Sequence, residues 1–243
     1  MEFEDDAFVL AARPHAETGA LVELLTQRHG RYLAHVAGGA SRKMKPFLQP
    51  GARVLARFRA RTSEHLGSAM LEPVGEGPSA LFDDPLALTG LSSAAAVAAG
   101  ALPEREPHPG AFLALEALIS ALAIPDIWAA VYVRFEGGLL EELGFGLDLS
   151  RCASTGSVDD LAYVSPRTGR AVSRTAGEPY KDKLLPLPPF MLGRQAGLGE
   201  GDVGLGLDIT ARFLNAYIFG PLNRPLPPAR TWLVERLAAA GRL

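Results

Sequence analysis

The chain has 243 residues, 48% apolar and 21% charged, with 24 basic and 27 acidic side chains. That apolar content excludes a largely disordered chain, and a net charge of −3 gives no global basic signature of a nucleic-acid binder. One cysteine, Cys152, excludes an intramolecular disulfide and any site that needs two thiolates from this chain. No apolar run reaches the roughly 18 residues that span a bilayer. The start, Met1-Glu2-Phe3-Glu4-Asp5-Asp6, is acidic where a signal peptide would be basic, so a cytoplasmic protein is expected.

Residues 6–74 read as short strands separated by turn signals. Ala7–Ala12 is an apolar run ended by Pro14, and Leu21–Thr26 is a second, followed by a turn at Gln27–Gly30. Arg31–Ala37 alternates, with Tyr32, Ala34 and Val36 on one face. Ser41 to Gly51 is a loop or short helix. Arg53–Arg61 alternates again, and His65–Leu71 completes five strands in about 70 residues. This spacing points to a small barrel of the OB type, with another small antiparallel sheet as the alternative. From Pro78 the texture becomes helical. Pro85–Leu102 is rich in Ala and Leu, and Phe112, Leu115, Leu118, Ile119 and Leu122 recur on one helix face. Ile127–Leu143 is a further helix that Gly137-Gly138 should weaken or bend. Two stripes near the end, Phe213/Leu214/Tyr217/Ile218 and Trp232/Leu233/Arg236/Leu237, read as core-facing. The expected fold is thus α+β and multi-domain: a barrel over residues 1–77, and a helical domain over 78–243. A polar insert with little hydrophobic pattern interrupts the latter at 148–182.

Charge is segregated. Residues 24–63 contain no Asp or Glu but nine cations: Arg28, Arg31, Arg42, Lys43, Lys45, Arg53, Arg57, Arg59 and Arg61. Arg53, Arg57, Arg59 and Arg61 hold odd positions of one strand, with Val54, Ala56, Phe58 and Ala60 between them. Strand alternation then lines one surface with guanidinium groups that no carboxylate neutralises, a track for a phosphate backbone. Tyr32 or Phe47 is available for base stacking or for the core. Cys152 and Thr155, then Ser173 and Ala176, keep the spacing of a zinc ribbon, but three of the four positions carry no usable ligand. A Gly-x-Gly-x-x-Gly at Gly199–Gly204 follows no strand and reads as a flexible loop. No catalytic constellation is visible, and no cofactor is expected.

The run Phe8–Gly19, with Leu24-Leu25-Thr26, Gly30, Ala37–Ala40 and Leu48-Gln49-Pro50, resembles the N-terminal domain of the RecO family of bacterial recombination mediators. Arg134-Phe135-Glu136, Leu139-Leu140, Leu143-Gly144-Phe145 and Cys152-Ala153 resemble the segment that enters that family's zinc-binding insert. The resemblance implies an OB domain, a helical domain with a zinc-finger-like insert, and a non-enzymatic role in RecF-pathway repair. It implies binding and annealing of single- and double-stranded DNA. With RecR, such proteins help RecA replace the single-stranded-DNA-binding protein. This sequence departs from zinc-bearing members at Thr155, Ser173 and Ala176, so the insert is expected to hold without metal, with Cys152 a lone small hydrophobe. The position of Arg134 implies contact with the acidic tail of the single-stranded-DNA-binding protein, or else pairing with Glu136 or Glu141. An RNA-binding OB module and an enzyme that clamps a phosphorylated small molecule are the alternative functions.

Overall fold

The computed structural model describes residues 1–62, 65–75, 83–193 and 197–243. They form two compact units, Met1–Ala123 and Ile124–Leu243. The domain boundary expected at residues 77 and 78 lies outside the described residues.

Five strands build the first unit: β1 (Glu2–His15), β2 (Gly19–Thr26), β3 (Gly30–Val36), β4 (Arg53–Arg59) and β5 (Gly67–Pro73). They close into a barrel in the order β1-β2-β3-β5-β4. β1 pairs antiparallel with both β2 and β4, and β3 meets β5 in a short parallel pair. The barrel is OB-like, and its interior follows the alternation of the sequence. Tyr32, Ala34 and Val36 from β3 join Val54, Ala56 and Phe58 from β4 in one core. Gly67 is needed where β5 crosses this core, because a Cβ there would fall 2.1 Å from the Phe58 ring.

β1 departs from expectation. It starts at Glu2 rather than at Ala7, runs through Pro14, and has 14 residues. An acidic hexapeptide has low strand propensity, but here each outward acid finds a cation on the neighbouring strand. Two helices complete the unit, α1 (Pro85–Ala101) and α2 (Pro109–Ala121). Asp84 caps α1 by accepting from the amides of Leu86 and Ala87 at 3.0 and 2.9 Å, and Pro85 occupies the first turn. Phe112 of α2 lies on Phe8 of β1 with ring centroids 4.8 Å apart. Gly30 turns at φ +86°, and a Cβ there would sit 1.9 Å from the Glu106 carbonyl oxygen.

The second unit contains α3 (Trp128–Glu142), strands β6 (Leu161–Val164) and β7 (Ala171–Ser173), the single turn α4 (Arg174–Gly177), and strand β8 (Leu185–Pro186). Helices α5 (Asp202–Leu214) and α6 (Pro228–Ala239) complete it. α3 runs unbroken through Gly137-Gly138. The segment at 148–182, which lacked hydrophobic pattern, nevertheless carries β6 and β7, and β8 just beyond it completes a three-stranded sheet in the order β7-β6-β8. Its strands are two to four residues long, too short for periodicity to register. The glycine motif at 199–204 is not a loop throughout. Gly201 takes φ +84° before Asp202, and α5 starts there.

Both C-terminal stripes need correction. Phe213, Leu214 and Ile218 are buried, but a π-helical turn at Asn215–Phe219 rotates Tyr217 outward. On α6, Leu233 and Leu237 are buried, Trp232 is exposed, and the inward polar residue is Arg230. Arg230 donates through Nε and Nη2 to the Glu136 carboxylate at 2.6 and 2.9 Å. Tyr132 Oη donates to the same carboxylate at 3.0 Å, and Thr210 Oγ1 donates to it as well. Arg230 Nη2 also donates to the Leu207 carbonyl at 2.8 Å. Glu136 is fully buried and Arg230 nearly so, so one ionic cluster fastens α3, α5 and α6 together. Removing one member leaves a buried charge with no counter-ion. Arg230→Met should therefore cost about 3–5 kcal/mol in denaturant unfolding, and Glu136→Leu combined with Arg230→Met should recover most of that loss.

Candidate nucleic-acid interface

Eight of the nine cations of residues 24–63 fall into two groups. The first lies on the barrel strands and their turns, and it is paired. β1 and β4 run antiparallel in the register Glu2↔Arg59, Glu4↔Arg57 and Phe8↔Arg53. Side chains directly opposite one another sit within reach on the same face. Arg59 reaches Glu2 at 3.0 Å, and Arg57 pairs with Glu4 and with Glu72 of β5 at 2.9 Å. Arg53 pairs with Asp6 and with Glu116 of α2 at 2.6 Å. Arg31 pairs with Glu23 and lies 3.7 Å from Glu104. Arg28 meets Asp5 at 3.0 Å and donates to the Glu4 carbonyl at 2.8 Å. The expected face of unneutralised arginines on β4 is therefore not present. The acids that β4 lacks come from β1, outside the acid-free window, and the β1–β4 ladder brings the two together. Arg61 is exposed just beyond β4.

The second group, Arg42, Lys43 and Lys45, stands on the segment between β3 and β4, where a 3₁₀ turn covers Lys45–Leu48. All three side chains are exposed, and among the described residues none of the three has an ion pair. Lys45 borders an open cavity of about 400 Å³ that it shares with Arg13, Pro14, Leu48 and Gln49. Arg13 is exposed at the far end of β1 and lies outside the 24–63 window, so a count of local charge misses it. Tyr32 is buried in the barrel core, and Phe47 is half-buried.

Asp5 is the inward acid of β1 and is 2% exposed. Burial opposes its charge. Hydrogen bonds from the His29 ring, the Arg28 amide and the Arg28 guanidinium, with the Arg28 charge, outweigh that and hold its carboxyl below the usual aspartate range.

In the second unit, Cys152 is 1% exposed and is not simply a small hydrophobe. Ser173 donates to its Sγ through the backbone amide at 3.2 Å and the hydroxyl at 3.4 Å. Burial raises the thiol, but the hydrogen bonds from Ser173 and Thr155 prevail and lower it to about 6. The donor set does not fit a zinc ion. Thr155 and Ser173, at the frame's second and third positions, hydrogen-bond to the sulfur, and the described residues hold no group of three His, Cys, Asp or Glu side chains around a common point. Arg134 is exposed on α3 at the rim of a cavity of about 270 Å³ lined by Val133, Gly137, Glu141, Leu147, Leu149 and Met191, with no ion pair to Glu141 among the described residues. The alternative pairing of Arg134 with Glu136 fails because Arg230 holds that carboxylate.

The architecture is an OB-like barrel with a cationic connecting segment, followed by helices. The models of the Recombination protein O N-terminal and C-terminal domains match residues 1–71 and 83–225. A protein of Phenylobacterium zucineum, named DNA repair protein RecO, is 76% identical over 243 residues, covering all of both chains. The namesakes of Caulobacter vibrioides and Rhodospirillum centenum are 73% and 54% identical. They are matched over 100% and 99% of this chain, and over 100% and 96% of their own length. The chain belongs to the RecO family.

Because the Asp5 pKa is lowered on folding, its carboxylate contributes stability above the unfolded aspartate value, and that contribution is lost as pH falls through the folded value. Asp5→Asn should destabilise the protein at pH 7 and flatten the acid limb of stability below the unfolded aspartate value, measured by urea unfolding at each pH. An acid limb as steep as that of the parent would remove Asp5 as its source.

Proposed function

We propose that the chain acts as a recombination mediator of RecF-pathway repair, annealing complementary strands and helping to load RecA on gaps covered by the single-stranded-DNA-binding protein. The observation that carries this reading is the exposed trio Arg42, Lys43 and Lys45, with no carboxylate partner among the described residues, on one connection of an OB-like barrel. Phosphates attract such cations without regard to base sequence, and neutralised arginines contribute less because a phosphate must first displace a carboxylate. Of the nine cations proposed as DNA contacts, these three take the leading role. Arg61 extends the track, while Arg28, Arg31, Arg53, Arg57 and Arg59 shape the barrel first.

The proposed partners are single- and double-stranded DNA, RecR, the tail of the single-stranded-DNA-binding protein and, indirectly, RecA. Arg134 beside an open, partly apolar cavity suits a tail that ends in hydrophobic side chains and carboxylates. No described helix is long and apolar enough to cross a membrane. The proposed place of action is the cytoplasm, at the nucleoid.

Replacing Arg42, Lys43 and Lys45 together with Ala should weaken single-stranded DNA equally for all sequences. The slope of log affinity against log salt should shrink by about 2, at roughly 0.7 per lost phosphate contact. The matching Arg53/Arg57/Arg59 triple should shrink it by less than about 0.7; the opposite ranking would move the DNA track onto β4. Arg134→Glu should weaken the tail peptide about tenfold, near 1.4 kcal/mol, while sparing bare DNA. Equal calorimetric affinities for parent and variant would take Arg134 out of the partner site.

A further inference from the structure

Three aromatic rings of the second unit form a ladder that climbs from the core to the surface. Phe213 is buried at the end of α5. Tyr217 lies 6.0 Å from it at an interplanar angle of 14°, and Phe145 lies 5.1 Å from Tyr217 at 8°. Phe145, the outermost rung, is 40% exposed. Two local features place the outer rungs where a straight helix would not. The π-helical turn at Asn215–Phe219 swings Tyr217 away from the apolar stripe. Such turns are rare, and they cluster at functional positions. At the end of α3, Gly144 takes φ +84°, the Phe145 amide donates back to the Leu140 carbonyl at 2.7 Å, and the Gly144 amide donates to Glu141. This is a Schellman ending, which commonly folds its last apolar residue back onto the helix. Here Phe145 instead stacks on Tyr217 and keeps much of its surface in solvent.

Cations frame the ladder. Tyr217 Oη donates to the Arg167 carbonyl at 3.4 Å, and Arg212 Nε donates to the Pro166 carbonyl at 3.3 Å. The turn between β6 and β7 is thereby fixed beside the rings. The side chains of Arg167 and Arg212 are exposed, and neither has an ion pair among the described residues. The nearby acid, Asp148, is held by Arg170 at 3.4 Å and by the Ser150 hydroxyl at 2.7 Å. A stack with an open outer face, flanked by unpaired guanidinium groups, has the two elements by which single strands are bound without sequence preference.

We infer that the Phe145–Tyr217 ladder, with Arg167 and Arg212, is a second single-stranded nucleic-acid site, separate from the barrel cations, where a base stacks on Phe145 and its flanking phosphates meet the two arginines. A protein with two strand sites on one chain can hold two strands at once, so the inference extends the proposed annealing role. It rests on the ladder alone and stands whether or not the barrel binds DNA.

The test is photo-crosslinking of the full chain to oligodeoxynucleotides carrying 5-iodouracil, which couples to stacked aromatic rings, with adducts mapped by mass spectrometry. Adducts are expected on Phe145 or Tyr217. They should persist in the Arg42→Ala/Lys43→Ala/Lys45→Ala variant, and Phe145→Leu should reduce them at least fivefold. Arg167→Gln with Arg212→Gln, which leaves the rings untouched, should reduce them similarly at physiological salt, so the result does not depend on the ring variant folding. Adducts confined to the barrel in the parent, or lost from Phe145 and Tyr217 when only the barrel cations are removed, would overturn the second site. A salt slope that falls in the Arg167→Gln/Arg212→Gln variant but not in the barrel variant would instead refute the barrel reading and leave this one standing.

Discussion

The first unit depends on the pairing of an acidic strand with a basic one. β1 begins with three outward acids, and β4 carries three outward arginines. The antiparallel register sets Glu2 opposite Arg59 and Glu4 opposite Arg57. Neither strand is favourable alone. A row of like charges repels itself, and Asp and Glu are poor strand formers. Placed side by side, each supplies the counter-ions of the other, so closing the barrel and neutralising its surface are one event. Glu72 and Glu116 extend the pairing to β5 and α2.

That pairing determines where the molecule can meet an anion. A guanidinium already held by a carboxylate gains little from a phosphate, since one charge-assisted contact replaces another. Among the described residues, the cations left together for a ligand are those on the segment between β3 and β4, where no paired strand brings an acid near. Arg42, Lys43 and Lys45 are thus set apart by topology rather than by number, since β4 carries three arginines as well. The second unit shows the same logic in its interior. Glu136 is buried because Arg230, Thr210 and Tyr132 all address it, and its neighbour Arg134 is left to the surface.

Much of this was legible in the sequence, and the failures share a cause. Alternation in Arg31–Ala37 and Arg53–Arg61 placed the barrel interior correctly, because a two-residue period survives whatever packs outside it. The same pattern placed the arginines outward but said nothing of their partners, since cross-strand register is a long-range property. Arg59 and Glu2 are 57 positions apart. The helical unit was readable where a stripe was long. It was misread at Tyr217, where the π-helical turn breaks the 3.6-residue period, and at Trp232, where an apolar side chain faces solvent while Arg230 turns inward. Strands β6 to β8 are too short to show a period, and the zinc-ribbon spacing around Cys152 carries no usable ligand at three of its four positions.

The central claim is that barrel cations bind DNA only where the fold leaves them without a carboxylate. Chemical footprinting measures this directly: lysine acetylation and arginine modification rates are compared on the free protein and on the protein saturated with single-stranded DNA. The account predicts strong protection of Arg42, Lys43 and Lys45, with little change at Arg57 and Arg59, which stay paired with Glu4 and Glu2 in both states. Protection of Arg57 and Arg59, with Lys43 and Lys45 reacting as in the free protein, would contradict it.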